Sequence, residues 1–159
     1  MIRVAIVDDH AAVRHHLREF LQGCPELEVV AEGHNGAQAA EIAVDAAPDV
    51  LLMDLVMPGQ NGRDGLEAIR ACAPQLAVLI LSGYPEEGHA LDLLRRGAAG
   101  YLNKHCEPEQ IVEAIHAVAA GQLFLPHPVA RRLGLCALAE PLQSGAWPQP
   151  LRQPARAAA

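Results

Sequence analysis

The segment VLLMDLVMPGQNG, residues 50–62, contains the features that decide the fold. Its first part, Val50 to Met53, is a continuous apolar run that is typical of a buried strand. Asp54 ends this run, and a loop rich in turn-forming residues follows from Met57 to Gly62. A short strand that is apolar at every position is buried on both faces, which favours a parallel sheet covered by helices.

Four further apolar runs predict additional strands. They are Ile2–Val7, Leu27–Ala31, Leu76–Leu81 and Ala99–Leu102. After each run, apolar residues recur at the spacing of one helix face. Five consecutive strand–helix units predict an α/β fold with a five-stranded parallel sheet, and right-handed crossovers leave few topologies for it. Gly65, a poor helix former, predicts a loose start to the third helix.

Length and composition predict one main domain and exclude several functional classes. The chain has 159 residues, of which 51% are hydrophobic, and a formal net charge of −7. The chain can therefore bury a hydrophobic core. Its net negative charge argues against binding of nucleic acid by the surface as a whole. No segment approaches the roughly 20 apolar residues of a membrane span. The four cysteines form no CxxC pair, and the N-terminus has no secretory signal. Both observations predict that the protein is located in the reducing cytoplasm.

The composition changes near residue 126. Residues 1–125 contain 8 Lys/Arg and 18 Asp/Glu, whereas residues 126–159 contain 4 Arg, 1 Glu and 6 of the 12 prolines. We assign residues 1–121 to the folded domain and residues 122–159 to a C-terminal extension or linker. Within the extension, residues 129–139 are predicted to form one helix, and the rest is predicted to be disordered.

Polar residues follow four of the predicted strands. They are Asp8 and Asp9, Asp54, Ser82 and Lys104. Because the carboxyl ends of parallel strands lie at one edge of a sheet, these side chains should converge there. Three close carboxylates repel one another unless a cation lies among them, and Mg²⁺ prefers carboxylate, water and phosphate oxygens. With a lysine and a hydroxyl beside them, the set suits a phosphoryl group on a carboxylate nucleophile.

Each of these residues, taken alone, also has a plainer interpretation. The aspartates are also typical of capping residues at the ends of strands or helices. Ser82 is also typical of a serine in a loop, and Lys104 of a solvent-exposed surface lysine. His10 adjoins the acidic pair and is a further candidate for contact with the site, whereas His15 and His16 fit the exposed face of a helix.

Taken in order, the motifs resemble the receiver domain of two-component response regulators. They are VDDH after strand one, LLMDLVMPGQNG around Asp54, LILSG on strand four and GYLNK on strand five. The resemblance covers residues 1 to about 121 and implies a flavodoxin-like (βα)5 fold with strand order 2-1-3-4-5. The DDH start and the stretch EAIHAVAAGQLFLPHPVARRL resemble the NarL/FixJ subfamily, whose members usually carry a LuxR-type helix-turn-helix. That output domain is expected to be absent from this chain.

The resemblance implies roles for the acidic residues and the lysine. Asp54 corresponds to the phosphoacceptor, and Lys104 corresponds to the lysine that contacts the phosphoryl group. Asp8, Asp9 and Asp54 would hold Mg²⁺ together with the backbone carbonyl of Val56.

The resemblance also implies a switch and a control of its lifetime. Ser82 corresponds to the hydroxyl that moves onto the phosphoryl oxygen, and Tyr101 corresponds to the aromatic residue that rotates inward. Val56 and Tyr84 occupy the positions that tune the lifetime of the aspartyl-phosphate. Both side chains are bulky and lack a water-activating group, which predicts a long-lived aspartyl-phosphate.

The function implied is a phosphorylation-activated switch without independent substrate turnover. A sensor histidine kinase would phosphorylate Asp54 and alter the face formed by helix four, strand five and helix five. A homodimer would form through that face or through helices one and five, and DNA would be contacted only through an output domain outside this chain. Two alternatives stay open, a stand-alone receiver or phosphate shuttle and a Mg²⁺-dependent phosphohydrolase with an aspartate nucleophile.

Overall fold

One parallel sheet with helices on both faces forms the fold in the computed structural model, which describes residues 1–57, 62–83 and 90–125. The strands are β1 (Ile2–Val7), β2 (Leu27–Gly33), β3 (Val50–Asp54), β4 (Ala77–Ser82) and β5 (Gly100–Asn103). The helices are α1 (Ala11–Gln22), α2 (Gly36–Asp45), α3 (Gly62–Cys72), α4 (Ala90–Arg95) and α5 (Pro108–Ala119). The strand order β2-β1-β3-β4-β5 confirms the predicted flavodoxin-like fold.

The sheet separates two apolar clusters, because successive strand residues point to opposite faces. On one face, Ala5 and Leu51 contribute to a cluster completed by α2, α3 and α4. On the other face, Val4 and Leu52 contribute to a cluster completed by α1 and α5. Every residue of β3 and β4 is buried, as expected for inner strands of a parallel sheet. None of the helices in the described residues is long and apolar enough to cross a membrane.

The observed strands differ from the predicted ones at their ends. The strand predicted for Leu27–Ala31 continues to Gly33, because β2 pairs with β1 as far as the Val7–Gly33 register position. Tyr84 and the predicted helix over residues 129–139 lie outside the described residues.

The start of α3 is packed closely, contrary to the expectation from Gly65. The helix begins at Gly62, and Gly65 is buried within it. A Cβ atom at Gly65 would lie 3.3 Å from the sulfur of Met53 and 3.5 Å from the Cα of Gly36. The missing side chain therefore lets α3 approach β3 and α2, which offsets the low helix propensity of glycine.

The chain continues to pack against the sheet after α5. The backbone N–H of Phe124 donates to the Ala99 carbonyl at 3.0 Å, and that of Tyr101 donates to the Phe124 carbonyl at 3.1 Å. Phe124 and Leu125 are both buried. Packing thus extends past residue 121, where the sequence places the boundary of the domain, and that boundary stays a prediction.

Candidate functional site

The carboxyl ends of β1, β3, β4 and β5 bring the predicted polar residues to one edge of the sheet. Asp8 follows β1, Asp54 and Ser82 end β3 and β4, and Lys104 follows β5. The backbone N–H of Lys104 donates to the Ser82 carbonyl at 2.8 Å, which fixes the end of β5 beside β4. Asp8, Asp54 and Ser82 are 2%, 4% and 1% exposed and are the buried polar side chains of the described residues. Polar groups buried at a ligand-binding edge are candidates for function rather than for stability.

Lys104 links the two buried carboxylates. Its Nζ lies 2.8 Å from Asp8 Oδ2 and 2.9 Å from Asp54 Oδ2. The lysine side chain is 17% exposed, so the two contacts are only weakly screened by solvent. One ammonium group therefore neutralises part of the charge on two carboxylates and leaves the cluster with net negative charge.

The pKa values of the three groups show how burial and contact compete. Burial opposes ionisation of Asp8, but the close contact with the Lys104 ammonium group and the hydrogen bond from the His10 backbone N–H outweigh it and hold the pKa of Asp8 below its usual value. Burial raises the pKa of Asp54, and the neighbouring charge of Asp8 adds to this effect although Lys104 opposes it. For Lys104, burial opposes the charged form, but its bonds to the two carboxylates raise its pKa overall. The two aspartates thus occupy different electrostatic environments.

Asp9 and His10 complete the acidic cluster. The backbone N–H of His10 donates to Asp8 Oδ1 at 2.8 Å. The imidazole Nδ1 of His10 lies 3.1 Å from Asp8 Oδ1 and 3.1 Å from Asp9 Oδ1. The structure therefore places His10 in direct contact with the site, where the sequence offered it only as a candidate.

The donor set fits a small divalent cation. Asp8, Asp9, His10 and Asp54 each offer a ligand atom, and these atoms lie within 4.8 Å of one another. Asp8 Oδ2 and Asp9 Oδ1 are shielded from water and have no well-aligned hydrogen-bond donor among the described residues. Their ion-pair partners are Lys104 and His10, respectively. These two oxygens, next to the Asp54 carboxylate, belong to the class of ligand that Mg²⁺ prefers, together with water.

The remaining predicted residues lie near this cluster or outside the described residues. The backbone N–H of Val56 donates to Asp54 Oδ1 at 3.3 Å, and the Val56 side chain is half exposed. Tyr101 lies on β5 and is fully buried, so its ring already occupies an inward position. Tyr84 lies outside the described residues, and nothing in the structure bears on its predicted role.

Sequence reasoning missed one residue that supports the site. Arg14 on α1 donates from Nη1 to the backbone carbonyl of Asp8 at 2.5 Å, and its Nε lies 3.9 Å from Glu32. The guanidinium therefore anchors α1 to the end of β1. A bond from a side chain to a backbone carbonyl leaves no residue pattern, so no sequence signal identified it.

Comparisons with known proteins agree with this architecture. The family described as "Response regulator receiver domain" matches residues 4–116. The nitrate/nitrite response regulator protein NarL of Escherichia coli (strain K12) is 36% identical over 122 residues, which are 77% of this chain and 56% of that protein. The transcriptional regulatory protein LiaR of Bacillus subtilis (strain 168) is 35% identical over 136 residues, which are 84% of this chain and 63% of that protein.

A solved structure extends the comparison to three dimensions. The crystal structure of a two-component response regulator of the LuxR family from Aurantimonas sp. SI85-9A1 superposes with a TM-score of 0.79 at 30% identity. The match covers 84% of this chain and 96% of that one. By contrast, this chain spans little more than half the length of the curated relatives it matches.

Proposed function

Because this chain belongs to the response regulator receiver domain family, we propose that it is a phosphorylation-activated switch whose phosphoacceptor is Asp54. The observation that carries the assignment of the residue is the position of Lys104, whose ammonium group contacts Asp54 and Asp8 at once. Of these two buried carboxylates, Asp54 ends the central strand β3, whereas Asp8 follows the neighbouring strand β1.

The transfer uses an Asp54 carboxylate oxygen as the nucleophile. This oxygen attacks the phosphorus of a phosphodonor, the bond from phosphorus to the donor breaks, and an acyl phosphate forms on Asp54. Lys104 is placed to offset the negative charge that accumulates on the phosphoryl oxygens. Asp8, Asp9, Asp54 and the Val56 carbonyl would hold Mg²⁺, which supplies further positive charge to the phosphoryl oxygens. Positioning and charge neutralisation account for most of the catalysis of such a transfer.

Phosphorylation changes the charge at the edge of the sheet that contains Asp54, and this change drives the conformational switch. The acyl phosphate places close to two negative charges on the Asp54 side chain, which held one carboxylate charge before. Ser82 and Lys104, which follow neighbouring strands, supply the hydroxyl and the ammonium group that the new oxygens require. Tyr101 is fully buried in this structure. We expect phosphorylation to favour this buried position and to alter the face formed by α4, β5 and α5.

The partners follow from the class of switch. A sensor histidine kinase is the expected donor, and a homodimer through α4, β5 and α5 or through α1 and α5 is the expected assembly.

Control of transcription would require a DNA-binding output domain. The relatives are longer than this chain, and their additional length is sufficient for such a domain. The alternative is a stand-alone receiver or phosphate shuttle. Sequencing the coding region downstream of residue 159 distinguishes the two, because only the first requires a helix-turn-helix in the same reading frame. We expect the protein to act in the cytoplasm.

Intact-mass spectrometry tests the proposed chemistry. The full chain is incubated with acetyl phosphate and Mg²⁺, and parallel samples contain EDTA in place of Mg²⁺. One phosphoryl adduct should form on the wild-type protein and on the control Asp45→Asn, whose substitution lies at the end of α2 and outside the site. The adduct should be absent from Asp54→Asn and strongly reduced by EDTA. An adduct of the same yield on Asp54→Asn would refute the assignment.

A further inference from the structure

His10 is the one member of the acidic cluster to which the proposed phosphoryl transfer gives no role. Its Nδ1 lies 3.1 Å from an oxygen of Asp8 and 3.1 Å from an oxygen of Asp9. One ligand atom from each of Asp8, Asp9, His10 and Asp54 lies within 4.8 Å of the other three. The cluster is therefore a mixed nitrogen and oxygen donor set rather than a purely carboxylate one.

The position of His10 in the chain leaves its imidazole available to a ligand. His10 is the N-cap residue of α1, but its side chain makes no capping hydrogen bond. The side chain is 63% exposed, so its ring can adjust when a cation enters. Its backbone N–H holds Asp8 Oδ1 at 2.8 Å, which keeps the residue next to the carboxylates in any ring orientation.

The chemistry of the donors determines which cations benefit from this nitrogen. Mg²⁺ is a hard cation that takes oxygen ligands, and an imidazole adds little to its binding. Zn²⁺ and the later first-row divalent ions, Co²⁺ to Cu²⁺, bind imidazole well, whereas Mn²⁺ resembles Mg²⁺ in its preference for oxygen. We propose that His10 supplies a nitrogen ligand to the cation site of Asp8, Asp9 and Asp54, and that it thereby favours later first-row transition-metal ions over Mg²⁺. This inference rests on the proposed function, because it concerns the cation site that serves Asp54.

A simpler role for His10 predicts a different result. If the imidazole only orients Asp8 and Asp9 by hydrogen bonding, its loss should weaken the binding of every divalent cation to a similar extent. If the imidazole is a ligand, its loss should weaken the binding of Co²⁺ and leave the binding of Mg²⁺ unchanged. His10→Asn separates the two roles, because the Asn amide retains a hydrogen-bond donor close to the position of Nδ1 but offers no imidazole nitrogen.

Titration calorimetry with Co²⁺ and with Mg²⁺ on the full chain tests the proposal. In wild-type protein, Mg²⁺ should displace Co²⁺ competitively, which places both ions at one site. In His10→Asn, the Co²⁺ dissociation constant should rise at least about tenfold, the lower end of the losses seen when metal-site partners are removed. The Mg²⁺ constant should not change. His15→Asn is the matched control, because His15 is an α1 histidine of similar exposure, 58%, that pairs with Glu19 outside the cluster.

¹H NMR of the Co²⁺-loaded protein gives a readout that does not depend on affinity. A paramagnetically shifted imidazole ring proton of a Co²⁺-bound histidine should be present in wild-type protein and in His15→Asn, and absent from His10→Asn. If His10→Asn weakens the binding of Co²⁺ and of Mg²⁺ equally, the proposal is overturned in favour of an orienting role. If Co²⁺ binding is unchanged in His10→Asn, the proposal is overturned outright. In both cases Mg²⁺ binding to the wild type leaves the proposed function intact, whereas wild-type protein that binds no divalent cation contradicts both.

Discussion

Replacing Lys104 with methionine removes the ammonium group that links the two buried aspartates, and the effect on stability should be large. Methionine has a similar length and flexibility, so the substitution changes charge more than packing. In the variant, Asp8 and Asp54 lie close together without the ammonium group that now contacts them at 2.8 and 2.9 Å. Two adjacent buried carboxylates without a cation cannot both stay ionised at low cost.

The geometry sets the size of the loss. Removing one partner of a buried ion pair costs about 3–5 kcal/mol, because the other charge is left without compensation. Lys104 is 17% exposed, and one carboxylate can relieve the repulsion by binding a proton. We therefore expect the lower end of that range, about 3 kcal/mol at neutral pH without divalent cations. Domains of this size are stable by about 5–15 kcal/mol, so the variant should still fold.

Urea unfolding in EDTA, monitored by circular dichroism, measures the loss. Saturating Mg²⁺ should restore part of the stability of Lys104→Met, because a cation that binds only the folded state stabilises it. The same substitution in an Asp54→Asn background should have a smaller effect, because one of the two carboxylates is already neutral. A loss below about 0.5 kcal/mol, typical of an exposed ion pair, would show that Lys104 does not stabilise the two aspartates as a buried partner. An equal loss in both backgrounds would show that Lys104 and Asp54 are not coupled.

Three further predictions concern Asp54, the cap of α2 and the lifetime of the phosphorylated state. Burial and the charge of Asp8 raise the pKa of Asp54, so its ionisation lowers stability once the pH exceeds that pKa. Asp54→Asn should therefore raise the thermal midpoint at neutral pH in EDTA, and this gain should vanish as acid protonates the wild-type carboxyl; a lower midpoint at neutral pH would contradict the reasoning. The Asn35 side chain accepts from the Gln38 N–H at 2.8 Å, so Asn35→Ala should lose about 1 kcal/mol in urea unfolding while Asn35→Asp retains most of the cap. The bulky Val56 beside the site should make the aspartyl-phosphate persist beyond seconds in a mass-spectrometric time course, and decay within seconds would contradict this.

The convergence of the site could be predicted from the sequence because strand ends are strongly constrained. Once five apolar runs are assigned to one parallel sheet, Asp8, Asp54, Ser82 and Lys104 must lie at the same edge. The cap of α2 is likewise local, since the Asn35 side chain accepts from the backbone N–H of Gln38, three residues further along the chain. These features follow from local sequence and from the handedness of crossovers.

Features that depend on tertiary contacts could not be predicted from the sequence in the same way. The contact of His10 with two aspartates depends on the backbone direction where β1 ends, and the bond from Arg14 to the Asp8 carbonyl depends on how α1 is placed. Gly65 looked like a weak point of α3, yet it allows the close approach to β3. In each case a tertiary contact decides the role of a residue whose local preference suggests another one.

Trapping and mapping the acyl phosphate identifies the phosphoacceptor residue directly. The protein is phosphorylated with acetyl phosphate and Mg²⁺ and treated with sodium borohydride, which reduces an aspartyl-phosphate to homoserine. Peptide mass spectrometry then identifies the converted residue. We expect homoserine at position 54, dependent on Mg²⁺ and absent without the phosphodonor. Homoserine at position 8, 9 or elsewhere, or stable phosphorylation with no reducible acyl phosphate, would contradict it.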